Sequence, residues 1–255
     1  MPELKYFISD FHFGAGRKSE SAEILNFDKF CSSLPNDSHL YILGDFFDFW
    51  IEHKYTVRSD FVEIYSILIN AKKRGIKISM IYGNHDFMHK NFMNKLGIEV
   101  YENKIEFETG DKKVCCLHGD GITGDLFYAA MKSIFRNKFL QSLYKTIHPT
   151  ISIWFGQCVS KLSRKKNKKY VKFPSRKERY RKYALNFAEK FGFDIMIMGH
   201  SHISDLFKTD KKIYANSGVW FENPTYVLLR ENKLFLKEFC GGSQEDIILS
   251  ETEVI

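Results

Sequence analysis

Residues 40–45 read Leu-Tyr-Ile-Leu-Gly-Asp, a short apolar run that ends in a glycine and a carboxylate. Two other segments repeat this arrangement, since residues 4–10 end in an aspartate and residues 76–84 end in Gly-Asn. Apolar runs of this length are typical of strands buried on both faces of a parallel sheet. Residues 61–69, between two of these runs, carry apolar side chains at helical spacing. The alternation of strand and helix predicts an α/β fold with polar groups clustered where the strands end.

The second half of the chain carries six more apolar runs of strand length. They are residues 104–107, 113–117, 195–198, 213–215, 226–229 and 234–239. Turn sequences such as Thr109-Gly110-Asp111 and Glu231-Asn232 separate several of them, as in β-hairpins. These runs indicate a second sheet that is more antiparallel than the first.

Residues 125–190 differ from the rest of the chain, because strand signals are almost absent and apolar residues recur at helical spacing. No linker sequence rich in Pro or Gly flanks this interval. We therefore expect a helical insertion that forms a lid on a single domain of residues 1–240. The last segment, 241–255, is polar apart from Ile247-Ile248-Leu249, and we expect a tail that is only partly ordered.

The composition is that of a globular protein in a reducing compartment. With 255 residues, of which 44% are hydrophobic and 16% aromatic, the chain is long enough to bury a large core. Its five cysteines are odd in number and include no C-x-x-C pair, which argues against a disulfide framework or a zinc knuckle. The first ten residues lack a signal-peptide pattern, and no apolar stretch is long enough to span a bilayer. We expect a cytoplasmic protein, with peripheral contact to the inner membrane as an option.

The net charge of +7 comes from one segment of the chain. Residues 161–182 contain twelve Lys or Arg and one acidic residue, whereas the remainder of the chain has 26 basic and 30 acidic residues. A concentrated positive segment attracts phosphates, nucleic acid or anionic lipid headgroups. A helix face exposed to solvent is the ordinary alternative, and the neighbouring Tyr180 and Tyr183 also fit contact with nucleic-acid bases.

Five short blocks place metal-ligating side chains directly after apolar runs. They are Asp10-Phe11-His12, Gly44-Asp45, Gly83-Asn84-His85-Asp86, Leu117-His118-Gly119-Asp120 and Gly199-His200-Ser201-His202. One block alone has a structural explanation more often than a functional one, but carboxylate, amide and imidazole groups together suit Mn, Fe or Zn. Residues two apart in an extended segment point to the same side, so Asp10 and His12 can face one cavity. The same spacing joins His200 to His202, and the blocks together predict a metal site.

In this order the blocks resemble the signature of the calcineurin-like metallophosphoesterases, over a span from Asp10 to about Trp220. The resemblance implies a two-sheet β-sandwich flanked by helices, an α/β (α+β) fold with two divalent metal ions at the strand ends. One ion would be held by Asp10, His12 and His202, the other by Asn84, His118 and His200, and Asp45 would bridge them. The implied metal is Mn²⁺, with Mg²⁺, Fe²⁺ or Zn²⁺ as alternatives. Such a pair lowers the pKa of a shared water and clamps the attacking and leaving oxygens at phosphorus.

The same resemblance gives His85 and Asp86 catalytic roles. His85 would donate a proton or a hydrogen bond to the phosphoryl or leaving oxygen, and Asp86 would orient its imidazole. Turn capping is the structural alternative for both residues.

Residues 41–51, the segment that starts at His118 and the helical insertion resemble the family of UDP-2,3-diacylglucosamine pyrophosphatases of lipid A synthesis. In that family, lid helices receive acyl chains while basic residues meet the phosphates. The resemblance implies that an amphiphilic nucleotide-diphosphate lipid is cleaved to UMP and 2,3-diacylglucosamine 1-phosphate beside an anionic membrane. The candidate substrate contacts are Asp125, Arg164, Lys165, Lys168 and Lys169. One difference is that the family typically has arginine at the position of His85.

Two other functions are compatible with these motifs. A phosphodiesterase or nuclease would use the basic segment to bind a nucleotide or a nucleic acid, with strong dependence on salt. A non-catalytic scaffold of the same fold would be expected to have lost metal ligands, whereas this chain retains all seven. The oligomeric state has no signature in the sequence.

Overall fold

The computed structural model describes residues 3–53, 55–87, 91–123, 126–167, 175–242 and 244–254. The strands are β1 (Lys5–Ile8), β2 (His39–Ile42), β3 (Lys77–Ile81), β4 (Glu99–Tyr101), β5 (Lys104–Thr109), β6 (Lys112–Leu117), β7 (Ile195–Met198), β8 (Asp205–Lys208), β9 (Ile213–Asn216), β10 (Thr225–Arg230), β11 (Lys233–Glu238) and β12 (Ile247–Glu253). The helices are α1 (Glu20–Ser33), α2 (Val62–Lys73), α3 (Asn91–Lys95), α4 (Leu126–Phe135), α5 (Lys138–Tyr144), α6 (Pro149–Asn167) and α7 (Ser175–Phe191).

The strands form two mixed sheets. The seven-stranded sheet has the order β12-β11-β10-β1-β2-β3-β4, in which β1 to β4 are parallel and β10 to β12 are antiparallel. The five-stranded sheet has the order β5-β6-β7-β9-β8, with a parallel centre of β6, β7 and β9. The parallel strands form one half of the seven-stranded sheet and the centre of the five-stranded sheet, so their C-terminal ends can deliver side chains to one edge of the sandwich.

Side chains that point to opposite faces of the seven-stranded sheet belong to two separate hydrophobic clusters. Phe7 and Tyr41 belong to a buried cluster between the sheets that also contains Ile197 of β7. Leu40 and Ile42 point to the opposite face of their sheet, where they pack with residues of α1 and α2. The helix α7 covers the outer face of the five-stranded sheet. This arrangement confirms the predicted two-sheet sandwich flanked by helices.

The C-terminal half of the chain differs from the sequence expectations in two ways. Strands β10 and β11, which the runs at 226–229 and 234–239 predicted, join the seven-stranded sheet rather than the second one. Residues 247–253, expected in a partly ordered tail, form β12 and pair with β11. Most of the β12 side chains are exposed, so the strand rests on backbone pairing and leaves little hydrophobic periodicity to recognise. The division of the chain at residue 240 stays a prediction.

The interval predicted to be helical contains α4, α5, α6 and α7. We call α4 to α6, residues 126–167, the lid. The helix α7 is not included, because it buries Ala184 and Ala188 against the five-stranded sheet. Along the described residues, none of the helices combines the length and the apolar character that crossing a bilayer requires.

One half-buried histidine outside the site, His39, predicts a pH dependence of stability. The His39 ring stacks on Tyr41 with centroids 3.9 Å apart, and its Nε2 lies 2.9 Å from Ser79 Oγ. Burial lowers the pKa of His39 from 6.5 to about 4. Below pH 6.5 the His39 ring is protonated in the unfolded chain, whereas in the folded chain it stays neutral down to about pH 4. The free energy of unfolding therefore falls as the pH is lowered from 6.5 to about 4.

We expect urea unfolding at pH 7 and pH 5 to show a smaller loss of stability for His39→Gln than for the wild type. The variant lacks the titrating ring, whereas the other histidines remain in both proteins. Equal losses in the two proteins would contradict this account of His39.

Candidate metal centre

The seven predicted ligands follow the C-terminal ends of parallel strands in both sheets. Asp10 follows β1, Asp45 follows β2 and Asn84 follows β3, all in the seven-stranded sheet. The histidines at 118, 200 and 202 follow β6 and β7 of the five-stranded sheet. The seven-stranded sheet thus brings two carboxylates, an amide and the His12 imidazole, and the five-stranded sheet brings three imidazoles, to a common edge.

Short distances connect all seven side chains. These are 3.3 Å from His12 Nε2 to His202 Nε2, 3.7 Å from His12 Nε2 to Asp45 Oδ2, 3.4 Å from His118 Nε2 to Asp45 Oδ2, 3.2 Å from His118 Nε2 to Asn84 Oδ1, 3.2 Å from His200 Nδ1 to His118 Nε2 and 3.2 Å from His202 Nε2 to Asp10 Oδ1. Asp45 therefore lies between the histidines of the two sheets.

Three groups in this cluster have the spacing of metal ligands. One consists of Asp10, His12 and His202, a second of Asp45, His118 and His200, and a third of His12, Asp45 and His85. Within each group, one ligand atom of every residue lies within 4.8 Å of the others. The first group consists of the three residues predicted for one ion. The second contains His118 and His200, predicted for the other ion, together with Asp45, and the Asn84 amide oxygen lies 3.2 Å from His118 Nε2.

The backbone at these residues adopts a conformation that side chains rarely permit. Five of the seven non-glycine residues with positive φ in the described chain are predicted ligands. They are Asp10 (57°), His12 (51°), Asp45 (50°), His200 (63°) and His202 (58°). The left-handed region costs free energy for residues with a Cβ and is concentrated at functional sites. The chain therefore gives up local stability to aim these side chains at one point.

Contacts behind the cluster fix which atoms face it. His118 Nδ1 lies 2.7 Å from the carbonyl oxygen of Leu43, and because a carbonyl can only accept, Nδ1 carries the hydrogen and Nε2 is turned towards the cluster. Asp10 Oδ2 accepts hydrogen bonds from the His200 backbone N–H and the Ser9 hydroxyl. Each side chain thus uses one polar atom for the protein and presents the other to the centre.

Two buried atoms of the predicted ligands lack hydrogen bonds to the described residues. They are Asp10 Oδ1, although His202 Nε2 lies 3.2 Å away, and His12 Nδ1. Burial would lower the pKa of His118, but the carboxylates of Asp45, Asp10 and Asp120 raise it to about 10. The cluster therefore attracts positive charge into a buried space lined by oxygen and nitrogen donors. These residues fit divalent metal ions of the kind that carboxylate and imidazole ligands bind.

His85 and Asp86 have different surroundings from those expected. His85 lies at the edge of the cluster, with its ring 4.9 Å from the His12 ring, and its Nδ1 is close to Asp48 and Ser160. The Asp86 carboxylate accepts hydrogen bonds from the backbone N–H groups of Gly83, Asp45, Phe46 and Phe47. These contacts are those of a turn cap that joins the loops after β2 and β3. The orienting contacts to His85 come from Asp48 and Ser160, two residues that the sequence analysis missed.

Most of the predicted substrate contacts lie outside the part of the chain that the structure describes. Asp125, Lys168 and Lys169 are outside the described residues, and only the backbone of Arg164 and Lys165, in α6, is described. Farther along the basic segment, Arg181 forms a two-pronged ion pair with Asp205 at 2.6 and 2.7 Å, and Lys177 lies 3.1 Å from the same carboxylate. Part of the positive charge thus anchors α7 to β8.

A sequence profile of the calcineurin-like phosphoesterases matches residues 6–204, which covers every one of the seven ligand positions. The chain belongs to the calcineurin-like phosphoesterase family. Together with the His and Asp clusters, this membership makes the chain a metal-dependent phosphoesterase, and the two mixed sheets are consistent with the fold of that family.

Relatives of this phosphoesterase with curated names include UDP-2,3-diacylglucosamine hydrolases. The protein of Porphyromonas gingivalis is 25% identical, with 91% of this chain and 96% of the relative covered. The protein of Vibrio atlanticus is 30% identical, with 77% of this chain and 80% of the relative covered. Among solved structures, vacuolar protein sorting 29 of Cryptosporidium parvum is 15% identical and covers 98% of both chains, with a TM-score of 0.49.

Proposed function

We propose that this phosphoesterase hydrolyses UDP-2,3-diacylglucosamine to UMP and 2,3-diacylglucosamine 1-phosphate, as in lipid A synthesis. In this proposal Asp10, His12 and His202 hold one divalent ion, and a second ion is held by Asn84, His118 and His200. Asp45 is shared between the two ions, for which we propose Mn²⁺. The observation that carries the substrate class is a cavity that runs from the metal centre into the lid.

This cavity has a volume of about 430 Å³, within the range of pockets that enclose a small ligand. It is lined by Asn84 and His85 of the metal centre and by the charged side chains of Asp48, Asp120, Lys132 and Arg136, of which Lys132 lies 2.8 Å from Asp120 Oδ2. Its remaining wall is mainly aromatic and aliphatic, formed by Phe49, Phe87, Ile134, Phe135, Leu140, Tyr144, Phe155 and Val159. Contact with the metal centre together with a large apolar wall suits a diphosphate that carries acyl chains.

The residues of the chain have separate tasks in this reaction. When bound, the ions lower the pKa of a water and stabilise charge on the phosphoryl oxygens. The water oxygen forms a bond to a phosphorus of the diphosphate, and the bridging P–O bond breaks. The water gives up a proton to solvent, and the leaving group departs as a phosphate monoester that needs no proton at neutral pH. His85 donates a hydrogen bond to the phosphoryl or leaving oxygen, while Asp86 holds the Gly83 and Asp45 backbones and so keeps the ligands in place.

The outer surface of the lid supports contact with a membrane. Phe139 is 75% exposed, Leu162 is 67% exposed and Trp154 is 63% exposed. Large apolar side chains exposed near a basic segment are characteristic of binding to an interface with anionic lipids. We include peripheral binding to the cytoplasmic face of a membrane in the proposal, since a diacyl substrate resides there.

Substrate turnover tests this proposal directly. Mn²⁺-loaded protein incubated with UDP-2,3-diacylglucosamine in detergent micelles is expected to release one UMP per substrate, and protein stripped of metal by a chelator is expected to release none. In ¹⁸O-labelled water, the label should enter one of the two phosphate products, which ³¹P NMR detects.

The matched control substrate is UDP-N-acetylglucosamine, which lacks the long chains. We expect its kcat/KM to be at least about 100-fold lower, because burial of ~4 methylene groups alone contributes ~3 kcal/mol. If no UMP forms from the diacyl substrate, or if both substrates are cleaved equally well, the proposed substrate is wrong.

A further inference from the structure

The lid helix α6 packs onto the loop that follows β2 through small residues. Gly156 is buried under the ring of Phe49, and a Cβ added at this glycine would lie 2.3 Å from the ring atom Cζ. One turn later Ser160 lies on the same face of the helix and is 5% exposed. The absence of a side chain at Gly156 thus brings α6 close enough for the Ser160 hydroxyl to reach past the loop.

At this point the lid meets the metal centre. Ser160 Oγ lies 3.1 Å from His85 Nδ1, and the carbonyl oxygen of Asp48 lies 3.0 Å from the same nitrogen. The carbonyl can only accept, so His85 Nδ1 carries a hydrogen that is shared between the carbonyl and the hydroxyl oxygen. In the imidazolium form both ring nitrogens donate, so Nε2 is then available to donate a hydrogen bond towards the metal centre.

We propose that Ser160 is a positioning residue through which the lid orients His85. The inference rests on the proposed function, in which His85 donates a hydrogen bond to the phosphoryl or leaving oxygen. With α6 seated on Phe49, two acceptors hold the ring. With α6 displaced, the contact to Ser160 is lost while the contacts to Asp48 stay, so the ring is held less firmly. Seating of the lid on its substrate therefore positions the hydrogen-bond donor, which links substrate enclosure to breakage of the P–O bond.

The Ser160→Ala variant tests this inference against the matched control Ser152→Ala. Ser152 lies on the same face of α6, fully buried, and its hydroxyl contacts His53 Nε2 at 3.3 Å and the Pro149 carbonyl oxygen at 3.0 Å. With Mn²⁺ and UDP-2,3-diacylglucosamine, we expect Ser160→Ala to lower kcat by about 10- to 100-fold, the usual effect of losing an orienting partner. Its KM should change less than about twofold, and Ser152→Ala should retain kcat.

A pair of variants of nearly equal shape separates the role of the hydroxyl from general damage to the site. Ser160→Thr keeps a hydroxyl within reach of His85 Nδ1, whereas Ser160→Val has a similar volume and lacks it. We expect kcat for the lipid substrate to be at least about tenfold higher in Ser160→Thr than in Ser160→Val. Equal kcat values in these two variants, or an unchanged kcat in Ser160→Ala, would overturn the inference.

The role of Ser160 can also be tested without turnover, so that the test remains valid if the proposed substrate is not cleaved. In the Mg²⁺-loaded wild type, ¹⁵N NMR of the histidine rings should show His85 protonated at Nδ1, with the signal assigned by its loss in His85→Gln. Ser160→Ala should shift that signal, whereas Ser152→Ala should not. If the wild type forms no UMP but the shift occurs, the substrate is wrong and the role of Ser160 stands; if the signal is unchanged, the role of Ser160 is wrong.

Discussion

Replacement of Asp45 by asparagine is expected to lower kcat/KM by about 1000-fold, the largest effect of any single isosteric change in this chain. Asp45 Oδ2 lies 3.4 Å from His118 Nε2 and 3.7 Å from His12 Nε2, so this carboxylate is the group shared by the histidines of both sheets. Loss of its charge removes part of the binding of both proposed ions. A loss of ~4 kcal/mol of transition-state stabilisation corresponds to the stated factor.

The matched control for this variant is Asp37→Asn. Asp37 is exposed and has φ of 63°, close to the 50° of Asp45, so the same substitution occurs in the same backbone region away from the site. Both variants should fold, since asparagine tolerates this conformation. Steady-state kinetics with Mn²⁺ and metal analysis of the purified proteins provide the measurement. If Asp45→Asn keeps both its metal and its kcat/KM, the shared role of Asp45 is wrong.

The second large effect is expected from Gly83→Ala. A Cβ at this position would lie 2.1 Å from Asp45 Oδ1 and 2.3 Å from the Asp45 backbone nitrogen, so the loops after β2 and β3 must separate. Displacement of catalytic groups by about 1 Å can cost ~100-fold in rate, and we expect at least that loss in kcat/KM. Overpacking should also lower the free energy of unfolding by about 1–3 kcal/mol.

Gly110→Ala separates these effects from the general cost of removing a glycine. Gly110 has φ of 59° in the turn between β5 and β6, and nothing lies within 4 Å of its added Cβ. It should lose about 1 kcal/mol of stability and retain the wild-type kcat/KM. Equal activity of the two alanine variants, measured on folded protein, would show that the close approach of the two loops does not matter.

The predictable part of the site was the set of residues that end apolar strands. Asp10, Asp45 and Asn84 follow continuous runs of buried strand residues, a pattern that the order of side chains alone reveals. The structure brings all seven predicted ligands together because the parallel strands of both sheets end at one edge. The left-handed backbone conformation of five of these residues could not be predicted from the sequence, since aspartate and histidine occur in every backbone region.

The roles of residues around the ligands were harder to predict. Asp86 was expected beside the His85 ring, but its carboxylate faces backbone N–H groups, because the loops after β2 and β3 together carry several donors that need an acceptor. Ser160 is separated from His85 by 75 residues and lies in a helix whose sequence indicates only an apolar face. Its position depends on how α6 packs on Phe49, which no local pattern encodes. Strand β12 was missed for a related reason, since its partner strand rather than its own side chains stabilises it.

The most direct test of the dinuclear centre is anomalous diffraction from crystals of the protein grown with Mn²⁺. We predict two anomalous peaks about 3.5–4 Å apart, with the Asp45 carboxylate between them. Asp10, His12 and His202 should contact one peak, and Asn84, His118 and His200 should contact the other. A single peak, or two peaks away from Asp45 at saturating metal, would contradict the shared-carboxylate centre.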